Sequence, residues 1–240
     1  MDGKASAVMG AARLTATFTL PPAAVMLVTE TRGGPMNKQS TMRSLWPQFS
    51  AGKRFRASAK QFEDGLAAYQ HGDYATALRL LRPVAEKGNP QAQAYLGFMY
   101  IEGRGVPQDD AEAAKWLRLA AEQGYAEAQS NLGVIYIEGR GVPQDDAEAV
   151  KWLRLAAEQG YAEAQSNLGV MYAEGQGVPK DLEQALTWFI IGDALGEKEA
   201  KRGQDYATNL MTSDQIAKAQ RMARKWMAKH QRRRLRLNLL

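Results

Sequence analysis

The chain has 240 residues, 45% of them hydrophobic, and a formal net charge of +5. It contains no cysteine and two histidines, which excludes disulfides, thiolate metal sites and a cysteine nucleophile and leaves too few ligands for a zinc site. Charge is segregated: residues 1–60 carry nine Lys/Arg and two Asp/Glu (+7), residues 61–216 thirteen and twenty-four (−11), and residues 217–240 nine and none (+9). An acidic body with basic ends suits an electrostatic contact with an anionic partner, or with the body itself.

Residues 1–57 do not read as a folded domain. The run 14–28, LTATFTLPPAAVMLV, is uncharged, but Pro21-Pro22 interrupts it and it is too short to span a membrane as a helix. Behind Lys4 and Arg13 it makes a weak signal-like core, without a clear small-residue cleavage site after it. We expect a disordered basic arm here, with a cytoplasmic location by default and export as the alternative.

From residue 58 onward the chain repeats itself. Residues 101–130 read IEGRGVPQDDAEAAKWLRLAAEQGYAEAQS, and residues 137–166 repeat them with one change, Ala114 becoming Val150. A diverged third copy starts at Ala173. The offset is 36 residues: Trp116, Trp152 and Trp188 keep it, as do Pro107, Pro143 and Pro179. A fixed period of this length marks stacked repeats. Residues 58–88 form a shorter first unit, with Phe62, Leu66 and Tyr69 on one helix face and Gly72-Asp73 as a corner. Residues 89–124, 125–160 and 161–196 are full units, 197–230 are capping helices, and 231–240 are a basic tail.

Within one unit, Pro90–Glu102 has Ala92, Leu96, Met99 and Tyr100 at helical spacing. Gly97, Gly133 and Gly169 recur beside leucine inside these helices. Glycine there costs about 1 kcal/mol against alanine, so its recurrence points to a close packing contact. The breakers Gly-Arg-Gly-Val-Pro follow. Asp109 with Glu112, Asp145 with Glu148, and Asp181 with Gln184 then read as capping boxes. The second helix, 110–123, puts Ala113, Trp116, Leu117, Ala120 and Ala121 on one side, and Gly124 ends it. A short loop makes the two helices antiparallel, and only a stack of such hairpins buries both faces. Thr212 with Gln215 is a further capping box, before a last amphipathic helix carrying Ile216, Ala219, Ala223, Trp226 and Met227.

The Ala-x3-Leu-Gly-x2-Tyr pattern of the first helix resembles the tetratricopeptide repeat. The 36-residue length and the Glu-Gly-x-Gly-Val-x2-Asp loop resemble more specifically the Sel-one-like repeat family of bacterial type, over about residues 61–210. The resemblance implies an all-α fold, a right-handed α-solenoid with the first helices on its concave side. It also implies a role in assembling proteins rather than in chemistry.

By the same resemblance, the concave positions are Gln91, Glu127 and Glu163; Ala94, Ser130 and Ser166; Phe98, Val134 and Val170; Ile101, Ile137 and Ala173; and Glu102, Glu138 and Glu174. Tyr95, Asn131 and Asn167 share one further position. An asparagine there offers donors and an acceptor to a bound backbone, or else bonds its own helices. Tyr95, Phe98, Glu102, Ser130, Asn131, Val134, Glu138, Ser166, Asn167, Val170 and Glu174 are therefore the candidate groove. Glutamates where a carboxylate clamp needs lysines favour a partner segment with basic and apolar side chains.

Catalysis is not expected. His71 sits at a turn and His230 in the basic tail. Gly103-Arg-Gly-Val-Pro lacks the lysine of a phosphate loop, and the Asp109-Asp110 and Asp145-Asp146 pairs suit helix capping better than calcium. The expectation is a monomeric, non-catalytic scaffold without cofactor or metal, binding a protein segment. The alternative is an adapter held to nucleic acid or an anionic membrane by Arg232-Arg233-Arg234-Leu235-Arg236. A remote alternative is β-lactam hydrolysis, claimed for some relatives; the repeats lack a serine followed at helical spacing by lysine.

Overall fold

The computed structural model describes the backbone of residues 58–237 and the side chains of residues 58–230. The expectations for the N-terminal arm and the arginine-rich tail fall outside the described side chains. Among the described residues there are ten helices and no strand. They are α1 (58–70), α2 (Tyr74–Glu86), α3 (Pro90–Glu102), α4 (Asp110–Glu122), α5 (Ala126–Glu138), α6 (Asp146–Glu158), α7 (Ala162–Glu174), α8 (Leu182–Ala194), α9 (Lys198–Thr208) and α10 (Ser213–Leu237).

Helices α3/α4, α5/α6 and α7/α8 are helical hairpins; α3 spans Pro90–Glu102, and α4 ends at Glu122 with Gln123 as its C-cap. Each second helix also packs on the first helix of the next hairpin, α4 on α5 and α6 on α7, so the chain is an α-solenoid. The turns follow local chemistry. Asp109 accepts from the Ala111 and Glu112 amides, Asp145 from Glu148 and Asp181 from Gln184. The return half of the capping box is not made. The Asp109, Asp145 and Asp181 amides donate instead to the carbonyls of Tyr100, Tyr136 and Tyr172, pinning each loop back onto the helix it leaves. Glu112 and Glu148 pair with Lys115 and Lys151. Thr212 and Gln215 do form a reciprocal box.

The recurrent helix glycines have the expected packing role. A Cβ on Gly97 would lie 2.7 Å from Leu117, one on Gly133 2.7 Å from Leu153, and one on Gly169 2.7 Å from Phe189. Packed on its own second helix and on the second helix of the preceding unit, the first helix α3 is buried almost all round. Ala92 through Met99 are all buried, not only the amphipathic stripe that spacing picks out.

Two polar ladders tie successive hairpins. Arg82, Arg118 and Arg154 donate to the hydroxyls of Tyr100, Tyr136 and Tyr172. Buried Gln93, Gln129 and Gln165 each donate to a carbonyl of the preceding second helix, at Ala85, Ala121 and Ala157. Gln123 and Gln159 then donate to the Oε1 atoms of Gln93 and Gln129, each at 2.7 Å. The second ladder stops at Gln165, whose Oε1 is buried without a partner. Leu195 stands there instead of glutamine.

Helix α10 packs chiefly on α8. Lys218 pairs with Glu183, Thr187 donates to the Ala219 carbonyl, and Trp226 meets Trp188 edge-on at 6.0 Å. His230 is not a free tail residue: its ring stacks on Trp226 at 3.6 Å and its Nε2 lies 2.8 Å from the Glu158 carbonyl at the end of α6. His71 is exposed at the first corner, as expected. This cover separates the three repeat tryptophans. Trp188 is 9% exposed, whereas Trp116 and Trp152 are only half-buried.

Candidate functional site

The predicted row lies on the first helices α3, α5 and α7. Eight of its positions, Tyr95, Phe98, Ser130, Asn131, Val134, Ser166, Asn167 and Val170, are buried, while Glu102, Glu138 and Glu174 are exposed at the helix ends. The two asparagines differ. Asn131 Nδ2 donates to the Glu127 carbonyl of its own helix at 2.8 Å. Asn167 Nδ2 and Ser130 Oγ are buried without a hydrogen-bond partner among the described residues. A polar atom left so is unfavourable by about 1–3 kcal/mol unless something satisfies it.

The three terminal glutamates are not equivalent. Glu102 accepts from the Tyr69 hydroxyl at 2.8 Å and pairs with Arg104, whose guanidinium also lies over the Tyr74 ring. Glu138 faces Arg140 at 3.6 Å, and Arg140 makes a two-pronged contact with Asp110 of the preceding hairpin. Gln176 takes the place of these arginines in the third repeat. Glu174, although it reaches solvent at the helix end, is partly desolvated, which raises its carboxyl above the ordinary value, with the charge of Lys180 opposing. The three glutamates at this position therefore differ in their surroundings: loop arginines pair with Glu102 and Glu138, and Gln176 stands where Glu174 would have one.

The acidic character lies elsewhere on the row. Glu127 is 7% exposed and accepts from the Tyr125 hydroxyl at 2.9 Å. Burial pushes its carboxyl up, and the Tyr125 bond only partly opposes this. Tyr95 is pushed up to about 12 by burial and by the Glu127 charge. Tyr125 and Tyr161 are raised further by burial, then by Glu127 for the former and Glu163 for the latter; Tyr161 also feels Glu127 and Glu197. Tyr95, Tyr125, Tyr161, Glu127, Glu163 and Glu197 are therefore coupled electrostatically across three repeats and the start of the capping helices.

Tyr125 and Tyr161 were missed in the sequence. They occupy the N-cap positions of α5 and α7 and make no side-chain cap, whereas Asn89 caps α3 by accepting from the Ala92 amide. Losing a cap weakens a helix by about 1 kcal/mol. Two helices carry an aromatic hydroxyl in that place, and the 36-residue recurrence of tyrosine at a capping position was the available signal.

Among the described residues, no group of three or more His, Asp or Glu has the arrangement of a metal site, and no helix is long and apolar enough to cross a membrane.

Antiparallel hairpins stacked through shared second helices, with a row of side chains on the first helices, define an α-solenoid repeat protein. The Sel1 repeat family matches three segments, residues 90–125, 126–161 and 162–192, so this part of the chain consists of three Sel1 repeats. Its fold is similar to that of a Sel1 repeat protein from Oxalobacter formigenes, at 37% identity and a TM-score of 0.56, covering 58% of this chain and 57% of that one. It is also similar to a protective antigen of uropathogenic Escherichia coli strains that displays an SLR fold, at 39% identity and a TM-score of 0.56, covering 66% of this chain and 34% of that one. The chain thus spans a little over half of the first structure and a third of the second. Comparison with curated proteins gives no significant match.

Proposed function

We propose that this chain is a non-catalytic interaction scaffold that takes a partner protein's segment, rich in basic and apolar side chains, on the row of its first helices. Sel1 repeat proteins generally act as protein-interaction scaffolds. The observation that carries the finer reading is the row itself: Glu127, Glu163, Glu174 and Glu197 among tyrosines and valines, with Asn167 Nδ2 and Ser130 Oγ unpartnered. A lysine or arginine entering beside Glu127 favours its ionised form, and apolar side chains meet Val134 and Val170. The unpartnered amide and hydroxyl are suited to a bound backbone. The stacked hairpins hold these groups in place beforehand, so little conformational entropy is lost on binding.

The test is fluorescence anisotropy on the full chain with labelled peptides of matched length. A peptide of alternating basic and apolar residues should bind, and Glu127→Gln should weaken it. Equal binding of an acidic peptide would refute the reading.

A further inference from the structure

We infer that the outward face of α10 is a docking surface for the phosphate backbone of a nucleic-acid duplex, held by charge and without sequence preference. This face is separate from the first-helix row, and its role does not depend on the peptide reading above.

Helix α10 uses its two sides differently. Ala219 and Ala223 are buried and Trp226 meets Trp188, so the apolar side is committed to α8. At about 100° per residue, Arg221, Arg224, Lys225 and Lys229 fall on the opposite side together with Lys218. All five are exposed. After Asp214 the helix carries no acid as far as its end at Leu237. The basic character that the sequence shows at Arg232–Arg236 thus already starts at Lys218, on a face that packing holds toward solvent.

Elsewhere the protein neutralises exposed cations along the same helix. Lys60 pairs with Asp64, Lys115 with Glu112, Lys151 with Glu148, Lys201 with Asp205 and Arg202 with Glu199. On α10 this pairing stops. Lys218 reaches Glu183 of α8, but Arg221, Arg224, Lys225 and Lys229 have no acidic partner among the described residues. Arg221 with Lys225, and Lys225 with Lys229, are instead like charges one turn apart, which weakens a helix. Helix polarity does not account for them. Its attraction for cations is confined to the last turn, and Lys229 lies eight residues before Leu237. The acidic body does not absorb them either, because they point away from α8.

A bound polyanion does account for them. The five cations extend along about 17 Å of helix. A duplex presents one negative charge per about 1.7 Å of its axis, so each cation can meet a phosphate. The guanidinium forks of Arg221 and Arg224 suit phosphate oxygens. A bilayer fits this face less well. Interfacial helices bury an apolar side in lipid, and here that side is spent on α8; among the described residues, none of the large exposed hydrophobics is on α10. No aromatic lies on the outward face, so the base stacking that holds single strands is also missing.

The experiment titrates the full chain into a short labelled DNA duplex of mixed sequence, between about 50 and 200 mM salt. It compares wild type with the combined variant Arg221→Gln, Arg224→Gln, Lys225→Gln and Lys229→Gln. Glutamine keeps the helix propensity of the residues it replaces. Wild type should bind with log K falling linearly against log salt, alike for two unrelated sequences. The slope should be shallower by about 3.6 in the fourfold variant, and by about 1.8 when only Lys225→Gln and Lys229→Gln are made. A graded change of this kind separates lost charge from lost folding. An unchanged slope would overturn the inference, as would a two-residue variant that removes the whole effect. Binding to phosphatidylserine vesicles but not to the duplex, or a marked preference for one duplex sequence, would overturn it too. The basic peptide should bind the fourfold variant as it binds wild type, so failure of one surface leaves the other standing.

Discussion

The interrupted glutamine ladder gives a prediction in which a single substitution should improve the protein. Gln165 is fully buried, its Nε2 donates to the Ala157 carbonyl at 3.0 Å, and its Oε1 has no partner. In the two preceding repeats the equivalent oxygen accepts from Gln123 or Gln159 at 2.7 Å. Leu195 occupies the third position, at the end of α8, with backbone angles of −99° and 4°, against −81° and 1° at Gln123 and −82° and −9° at Gln159. A glutamine at 195 therefore meets nearly the same local geometry. Leu195 is 47% exposed, so little apolar burial is lost. One new hydrogen bond to a buried acceptor contributes about 0.5–1.5 kcal/mol, against up to about 1.5 kcal/mol for ordering the glutamine side chain. Because the new bond also relieves the buried Gln165 oxygen, whose lack of a partner is unfavourable by about 1–3 kcal/mol, we expect Leu195→Gln to stabilise by about 0.5–1 kcal/mol. The reciprocal change, Gln159→Leu, strands the Gln129 oxygen and loses the bond to the Gly124 carbonyl. It should cost about 1–3 kcal/mol. Urea unfolding reads both as midpoint shifts in opposite directions at constant m. If Leu195→Gln lowers the midpoint while Gln159→Leu leaves it unchanged, the ladder does not hold the hairpins together.

Three further outcomes follow from the packing and the buried charge. Trp188→Ala should cost about 3–5 kcal/mol, as for a well-buried aromatic, and Trp152→Ala distinctly less. Equal losses in urea melts would mean that the cover by Trp226 adds nothing. Gly169→Ala should destabilise by about 1–3 kcal/mol despite alanine's better helix propensity, because the added methyl meets the rigid Phe189 ring; a raised thermal midpoint would show that the ring yields. Glu127 has a folded-state carboxyl raised above its ordinary 4.5 by burial. The native state therefore binds its proton more readily than the unfolded chain, and stability falls as pH rises from about 4.5 through the raised value. Glu127→Gln should gain on wild type over that interval and match it most closely below it. A difference in urea midpoint independent of pH would place the effect in packing rather than charge.

Much of the fold was legible because its determinants are local and repeated. The offset shared by Trp116, Trp152 and Trp188, the aspartate caps and the breaker loops each specify a turn or a helix end from a few adjacent residues. Three copies of one pattern also remove the ambiguity that a single copy leaves. The candidate row was legible as positions but not as chemistry. Glu102, Glu138 and Glu174 look alike in sequence, yet Arg104 and Arg140 neutralise two of them and Gln176 spares the third. That difference depends on where the loop lays its side chain across the helix end. Tyr125 lies two residues from Glu127, whereas only the stacking of α5 and α7 brings Tyr161 into the field of Glu127.

The sequence by itself determined the repeat, its hairpins, the close glycine contacts and the segregation of charge, because each rests on spacing within about 36 residues. Tertiary structure decided the rest. It joined the glutamine ladder across 30-residue separations and left its last acceptor open. It laid α10 on α8 and so buried Trp188 more deeply than Trp116 or Trp152. It also enclosed one acidic row while pairing the glutamates beside it. Those results depend on which surfaces meet when identical units stack and where the stack ends, and no single unit carries that information.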